Sequence, residues 1–186
     1  MSEQPPQAGS ERLEPTFIAV PWTDERAVAI RDEFDAEMDS RYWDPDAPPA
    51  PPEVAQMLSE VFETRPEELV ESILLIDPDG EPAGHGALFS RPEPRTLELR
   101  KVAIRPAYRR RGHARKLLAE LERRAVERGA ERIVLDTGPK QPDAIALYDA
   151  VGYRRIAPFP PYDRLGEGGA ICFDVDLAAR AAEGGR

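Results

Sequence analysis

The feature that most constrains this sequence is a strongly basic helix start without an ordinary cap. Apolar residues follow helical spacing over residues 112–128, and three arginines, residues 109–111, stand directly before them. The first turn of an α-helix leaves about four backbone N–H groups without partners, which Ser, Thr, Asp or Asn normally cap. None of these four residue types occurs between residues 104 and 130. The helix therefore needs another partner for its first N–H groups.

The charge at this helix start also has the sign that a helix dipole disfavours. Arg115 and Lys116 lie in the first turn, where the positive end of the dipole repels cations. Residues 105–116 include six basic and no acidic side chains, although the whole chain carries a net charge of -10. A bound phosphate would satisfy the N–H groups and the cations together, and Gly112 would permit its close approach. The alternative is an arginine-rich helix end that is simply solvated.

Composition and patterning favour one α/β (α+β) domain. Hydrophobic residues make up 41% and charged residues 32% of the 186-residue chain. No run approaches the roughly 20 apolar residues of a membrane helix, and the first residues lack the features of a secretory signal, so a cytoplasmic protein without a membrane partner is expected. Cys172 is the single cysteine, and no Cys/His cluster has metal-ligand spacing. We therefore expect no disulfide and no metal.

Strand and helix signals alternate along residues 15–177, whereas residues 1–14 and 178–186 are predicted to be flexible. A hairpin turn is predicted at residues 77–80. The strand over residues 97–104 keeps its apolar side chains on one face only if it bulges near Arg100 and Lys101. Strands are predicted at 17–20, 69–76, 82–90, 97–104, 133–135 and 170–177, and helices at 23–40, with Thr23 as N-cap, 53–62, 112–128 and 142–151.

Two segments of the chain resemble conserved regions of the GNAT superfamily of N-acetyltransferases. Arg109, Gly112 and Ala114 match the family's Arg/Gln-x-x-Gly-x-Gly/Ala pattern within residues 102–114, and residues 141–153 resemble its second conserved region. The resemblance implies a single GNAT-like domain, with a mixed central sheet of about six to seven strands, a bulged central strand and about four flanking helices. It also implies acetyl-CoA as cosubstrate, with direct attack by a primary amine in a ternary complex.

The resemblance further implies which residues hold acetyl-CoA. Backbone groups of the bulged strand would hold the pantetheine arm, and the basic helix start would hold the diphosphate. Gln141 stands where family members commonly have Asn, so it is a candidate contact or an imperfect helix cap. The implied cofactor contacts are Val102, Ala103, Ile104, Arg109, Arg110, Arg111, Gly112, His113, Ala114, Gln141 and Tyr148.

Acetyl transfer to an amine requires proton movements that side chains must support. An alkyl ammonium has a reference pKa of about 10.4 and a thiol of about 8.5, so one group must accept a proton and another must supply one. Tyr148 matches the family's usual tyrosine and is the predicted acid, with a purely packing role as the alternative. Glu98 is the candidate base, or else a surface strand residue, and Asp136 is a weaker candidate.

The acceptor is left open as a small-molecule amine or a protein amino group. Residues 24–46 carry nine acidic and three basic side chains, which would suit a cationic amine, although a solvated helix face is the commoner meaning. Two rival functions are a catalytically silent acyl-CoA-binding module and a nucleic-acid patch, and the acidic remainder of the chain argues against the second. A homodimer is left open. Candidate pocket aromatics are Tyr42, Trp43, Phe159 and Tyr162.

Overall fold

The computed structural model describes residues 14–184, which form one seven-stranded mixed sheet with helices on both faces. The strand order is β1-β2-β3-β4-β5-β7-β6, and all neighbours are antiparallel except β4 and β5. Along the chain the elements are β1 (Thr16–Ala19), α1 (Glu25–Tyr42), α2 (Pro52–Val61), β2 (Leu69–Ile76), β3 (Pro82–Ser90), β4 (Thr96–Ile104), α3 (His113–Glu127), β5 (Arg132–Thr137), α4 (Pro142–Ala150), β6 (Arg154–Ile156), β7 (Ile171–Asp176) and α5 (Leu177–Gly184).

The two faces of the sheet are covered by different helices because strand side chains alternate. Ile73 and Leu75 of β2 belong to the main core cluster with α3, whereas Leu74 packs with Ala27 and Ile30 of α1 on the opposite face. Fully buried leucines of α3 supply much of the main core, and each contributes roughly 1.5–3 kcal/mol by leaving water. These are Leu117, Leu118 and Leu121. The amphipathic spacing of α3 thus fixes its docking on the sheet.

Strands β4 and β5 separate part of the way along their length. Their parallel pairing runs only from Thr96 and Arg132 to Glu98 and Val134. Beyond that point β4 stays paired with β3 as far as Ile104, so its other edge has no strand partner among the described residues. We call this opening the β4–β5 cleft. The cleft gives the centre of the sheet free backbone groups.

The bulge that the sequence predicts near Arg100 and Lys101 is confirmed. Lys101 and Val102 of β4 lie opposite the single residue Gly86 of β3, and Lys101 has a φ of 54° in the left-handed region. The extra residue restores the phase of the apolar side chains, as a bulge should. Both halves of β4 therefore contribute to one core cluster through Leu97, Leu99, Val102 and Ile104.

Several local expectations differ from the structure. Asp24 rather than Thr23 caps α1, because its carboxylate accepts from the N–H groups of Arg26 and Ala27. The three-residue strand β6 has no sequence pattern long enough to predict it. A helix, α5, begins at Leu177 where a flexible tail is predicted from residue 178. Residues 1–13 and 185–186 of the two predicted flexible segments lie outside the described residues.

Helix α5 is anchored by two chain-distant contacts that the sequence does not reveal. Arg180 donates to the carboxylate of Glu122 on α3 at 2.6 Å and also binds the carbonyl oxygen of Val151. The carboxylate of Asp176 accepts from the N–H of Ala179 at 2.9 Å in the first turn.

In the part of the chain that the structure covers, no helix has both the length and the apolar character to span a bilayer.

Candidate active site

The start of α3 presents a set of backbone N–H groups without partners. Gly112 is the N-cap, in the left-handed region with a φ of 84°, and no side chain caps the helix. Among the described residues, the N–H groups of residues 112–115 donate to no other group. Arg110 also has a left-handed φ of 63°. Alternation of right- and left-handed residues turns successive N–H groups toward one point and forms an anion-binding concavity, which we call the α3 cradle (residues 110–115).

The space in front of the α3 cradle is open. A Cβ atom added to Gly112 would meet no atom within 4 Å. Arg110 and Arg115 are not buried and form no ion pair with any residue in the described range. Free donors, open space and two uncommitted cations together fit the phosphate groups of a nucleotide.

The side chains of Arg109 and Arg111 are more engaged than the sequence suggests. The guanidinium of Arg109 donates to both carboxylate oxygens of Glu37 on α1, at 3.1 and 2.5 Å, and to the carbonyl oxygen of Ile104 at 2.9 Å. Arg111 donates to the carbonyl oxygen of Ala107 at 3.0 Å and lies 4.9 Å from the ring centroid of Tyr108. Hence Arg110 and Arg115, rather than Arg109, carry the charge that remains available to a ligand.

The other predicted cofactor residues line the cleft and its borders. Val102, Ala103 and Ile104 form the free edge of β4 beyond its pairing with β5, and a cavity of about 450 Å³ lies between Ala103, Ile104 and α1. His113 is buried, and Ala114 is half-buried, so the backbone of each is what a ligand at the α3 cradle can reach. Gln141 is the N-cap of α4 without a side-chain cap bond.

Tyr148 lies in the core with its hydroxyl uncommitted. Its ring centroid is 5.6 Å from that of Tyr153 and 5.4 Å from that of Phe173. The hydroxyl makes no hydrogen bond to another described residue, and burial, followed by the charge of Asp136, raises the pKa of Tyr148. The tyrosine therefore packs in the core and still keeps its proton at neutral pH.

Glu98 is not a surface strand residue. Its side chain is buried, and its Oε1 accepts from the hydroxyl of Tyr162 at 2.5 Å and lies 3.5 Å from Nε of Arg100. Its Oε2 accepts from Nη1 of Arg91 at 3.2 Å. Because both oxygens are occupied, Glu98 is held as an ion-paired carboxylate, and this network was not visible in the sequence.

Asp136 occupies the same face of the sheet as Glu98, at the mouth of the cleft. Glu98 pairs with Val134, and Asp136 follows Val134 by two residues, so their side chains share a face. Burial and the negative charge of Glu98 raise the pKa of Asp136 to about 7, although the positive charge of Arg100 partly opposes them. Such a carboxylate changes charge near neutral pH, which is what a general base requires.

Cys172 of β7 lies beside this carboxylate. Its Sγ is 4.0 Å from Oδ1 of Asp136, and burial raises the pKa of the thiol to about 11. The thiol is therefore protonated at neutral pH and is a poor nucleophile. Within the described residues, no group of three or more His, Cys, Asp or Glu side chains is placed to hold a metal ion.

The acidic stretch of residues 24–46 joins α1 to the rest of the domain. Three of its carboxylates pair with three cations at the bulge of β4 and in the loop that follows β4, so they are not an open surface for a cationic ligand. These pairs are Glu33 with Arg105 at 2.8 Å, Asp35 with Lys101 at 2.6 Å and Glu37 with Arg109 at 2.5 Å.

The predicted pocket aromatics fall into two groups. Phe159 and Tyr162 pack edge-to-face at 5.3 Å beside Glu98. Tyr42 and Trp43 are exposed at the end of α1, where the hydroxyl of Tyr42 accepts from the N–H of Lys140 at 2.8 Å. The two groups therefore do not form one described pocket.

A family model and several solved structures match this chain. Residues 28–153 match the model of the acetyltransferase (GNAT) family. A protein assigned as an acyl-CoA N-acyltransferase from Klebsiella pneumoniae has a similar structure, with 26% identity and a TM-score of 0.69 over 88% of this chain and 97% of that chain. A Bacillus subtilis acetyltransferase solved in complex with CoA shares the fold at 16% identity, with a TM-score of 0.60 over 88% and 99% of the two chains.

A curated relative is an uncharacterized protein of Mycobacterium leprae. It is 42% identical over 69 residues, which are 37% of this chain. The matched part spans only 18% of the relative's own length. The similarity therefore concerns a segment of that larger protein.

Proposed function

Because the chain belongs to the GNAT acetyltransferase family, we propose that it is an acyl-CoA-dependent N-acyltransferase that transfers an acetyl group from acetyl-CoA to a primary amine in a ternary complex. The observation that carries the proposal is the uncapped, basic start of α3 beside the β4–β5 cleft. The acceptor is a small-molecule amine or a protein amino group. We expect the protein to be cytoplasmic and to need neither nucleic acid nor metal.

The residues present fit acetyl-CoA at both ends of the cleft. The backbone N–H groups of residues 110–114 are proposed to hold the diphosphate, with Arg110 and Arg115 as the cations that remain available to it. The edge of β4 at residues 102–104 has no strand partner on its β5 side and offers backbone groups to the amide-containing pantetheine arm, apart from the carbonyl oxygen of Ile104, which accepts from Arg109. Gln141 at the start of α4 and Arg109 are proposed as flanking contacts. An extended ligand with an anionic end and an amide-bearing arm matches this order of donors.

When bound, acetyl-CoA supplies an acyl thioester, and the chain supplies the proton transfers. We assign the base role to Asp136 rather than to Glu98, because the carboxylate of Asp136 has a pKa of about 7 and is not held in ion pairs. Glu98 instead acts on Asp136 through its negative charge. The Oδ atoms of Asp136 take up the proton of the acceptor ammonium, directly or through water.

Tyr148 is the proposed proton donor to the leaving sulfur. Its hydroxyl carries the proton that the leaving sulfur takes up, and the raised pKa means that this proton is present at neutral pH. The acceptor nitrogen loses two protons as the ammonium becomes an amide. The proton taken up by Asp136 returns to solvent, and the second replaces the proton that Tyr148 gave to the sulfur, directly or through water, so each turnover releases one proton. A backbone N–H of the free β4 edge is proposed to polarise the thioester carbonyl.

Calorimetric titration with acetyl-CoA, paired with a thiol-release assay over an amine panel, tests the proposal. Gly112→Asp places bulk and negative charge in the α3 cradle, so binding should be lost. Gly129→Asp is the matched control, because Gly129 has a similar φ of 79° and equally open space at the other end of α3. Absence of binding by the unaltered protein would overturn the proposal. Binding without thiol release for any amine would favour a catalytically silent acyl-CoA-binding module.

A further inference from the structure

Asp77 is a buried carboxylate in the hairpin turn between β2 and β3. Its backbone N–H donates to the carbonyl oxygen of Glu81 at 2.9 Å, and its own carbonyl oxygen accepts from Gly80 at 2.8 Å. The turn therefore fixes the backbone of Asp77 independently of its side chain. That side chain is only 7% exposed, which is unusual for a carboxylate in a turn.

The carboxylate of Asp77 contacts both residues that flank Gly112. Its Oδ1 accepts a hydrogen bond from Nε2 of His113, and its Oδ2 lies 3.4 Å from Nη1 of Arg111. His113 and Arg111 are 36 and 34 residues away from Asp77 in the chain. The hairpin and the start of α3 are thus joined at the N-cap of the helix.

The α3 cradle needs such an anchor because its backbone is strained. Arg110 adopts a left-handed φ of 63° without being glycine, and such conformations persist only where the surroundings fix them. His113 is 5% exposed, and its Nδ1 is buried without a partner among the described residues, so the bond to Asp77 is the contact that orients the ring. The negative charge of Asp77 also suits the positive end of the α3 dipole.

We infer that Asp77 is a positioning residue for the phosphate cradle, acting through His113 and Arg111, an inference that rests on the proposed function. By holding the residues on either side of Gly112, the carboxylate keeps the N–H groups of residues 112–115 directed at one point. The effect is on affinity for the diphosphate alone, because Asp77 lies at the α3 end of the site and does not contact Tyr148 or Asp136.

The test compares His113→Leu, His113→Gln and Asp77→Asn with the unaltered protein. The leucine side chain removes the donor, whereas the amide nitrogen of glutamine reaches about as far along the side chain as Nε2 of histidine and should restore the bond. His113→Leu should raise the KM for acetyl-CoA and the Kd for ADP, the calorimetric probe of the diphosphate site, on the order of tenfold. Asp77→Asn should raise both in the same direction.

A structural role would lower kcat and raise both KM values together with a lower Tm, whereas positioning leaves kcat and the amine KM unchanged. Asp79→Asn, in the same turn but exposed, is the control and should change none of these values. Unchanged ADP affinity in His113→Leu and Asp77→Asn, or no recovery in His113→Gln, would overturn the inference alone. Failure of the unaltered protein to bind either ligand would overturn the proposed function as well.

Discussion

Glu37 of α1 accepts two hydrogen bonds from the guanidinium of Arg109, a residue 72 positions later in the chain. The pair ties the first helix to the loop that leads into α3. Arg41 donates to the same carboxylate at 2.5 Å, so Glu37 serves two cations on the side of the domain where the β4–β5 cleft opens. Docking of α1 and the geometry of the α3 cradle are consequently linked through one carboxylate.

Glu37→Gln should lower stability modestly, by about 0.5 kcal/mol, because the pair is partly exposed and such ion pairs contribute little. The hydrogen bond from Arg109 lowers the pKa of Glu37, so its contribution is complete above the ordinary value of 4.5 and is lost as the pH falls below it. Urea unfolding at pH 7 and pH 3 measures this. Asp32→Asn on the same helix, exposed and without an ion pair among the described residues, is the control, and an equal loss in both variants would contradict the prediction.

Asp136→Asn should reduce kcat/KM for the amine by about 10²- to 10⁴-fold, the usual contribution of a general base. In the unaltered protein the rate should rise with pH through the pKa of about 7, because only the deprotonated carboxylate accepts a proton. The pH–rate profile measures this rise, which is its acidic limb. A profile in Asp136→Asn that still rises near pH 7 would remove Asp136 from the base role.

Glu98→Gln should move the acidic limb of the pH–rate profile to lower pH, because the negative charge of Glu98 helps to raise the pKa of Asp136. Loss of that charge also leaves Arg100 less neutralised, and its positive charge shifts the pKa of Asp136 in the same direction. If Glu98 were itself the base, the substitution would abolish the limb rather than displace it. The two outcomes distinguish the two assignments in one titration.

Asp136→Asn should also stabilise the fold above pH 7, by on the order of 4 kcal/mol. Burial raises the folded-state pKa of Asp136 above its ordinary 3.8, so the folded chain holds a proton that the unfolded chain has lost. The effect of Asp136 is therefore that the free energy of unfolding is highest below about pH 4 and falls as the pH rises to about 7. Tm measured at pH 5 and pH 8 should differ less in the variant, and an equal pH dependence would contradict this prediction.

Tyr148→Phe should lower kcat by one to two orders of magnitude, roughly the effect of losing a general acid, with little change in Tm. The ring would keep its packing, and the hydroxyl has no partner to lose among the described residues. Tyr153→Phe is the matched control, since its ring is adjacent and its buried hydroxyl also lacks a partner in the described part of the chain. Equal rates in the two variants would reduce Tyr148 to a packing role.

The main elements of the fold were predictable because their signals are local. Apolar spacing identifies α3, the residues 77–80 identify the hairpin, and the phase change between Leu99 and Val102 identifies the bulge. The strand β6 and the helix α5 were missed, because three residues carry too little pattern and α5 depends on the distant contacts of Arg180. Local patterns therefore predict long elements and fail for short ones.

The amino-acid sequence alone determined that α3 begins without a cap among arginines, since propensity, capping and charge act between residues a few positions apart. Only the tertiary structure decided that Arg109 is engaged by Glu37, that Glu98 is enclosed by two arginines and a tyrosine, and that Asp136 is the carboxylate with the raised pKa. Burial and charge pairing depend on which distant residues share a space. That arrangement exists only after the strands have paired and the helices have docked.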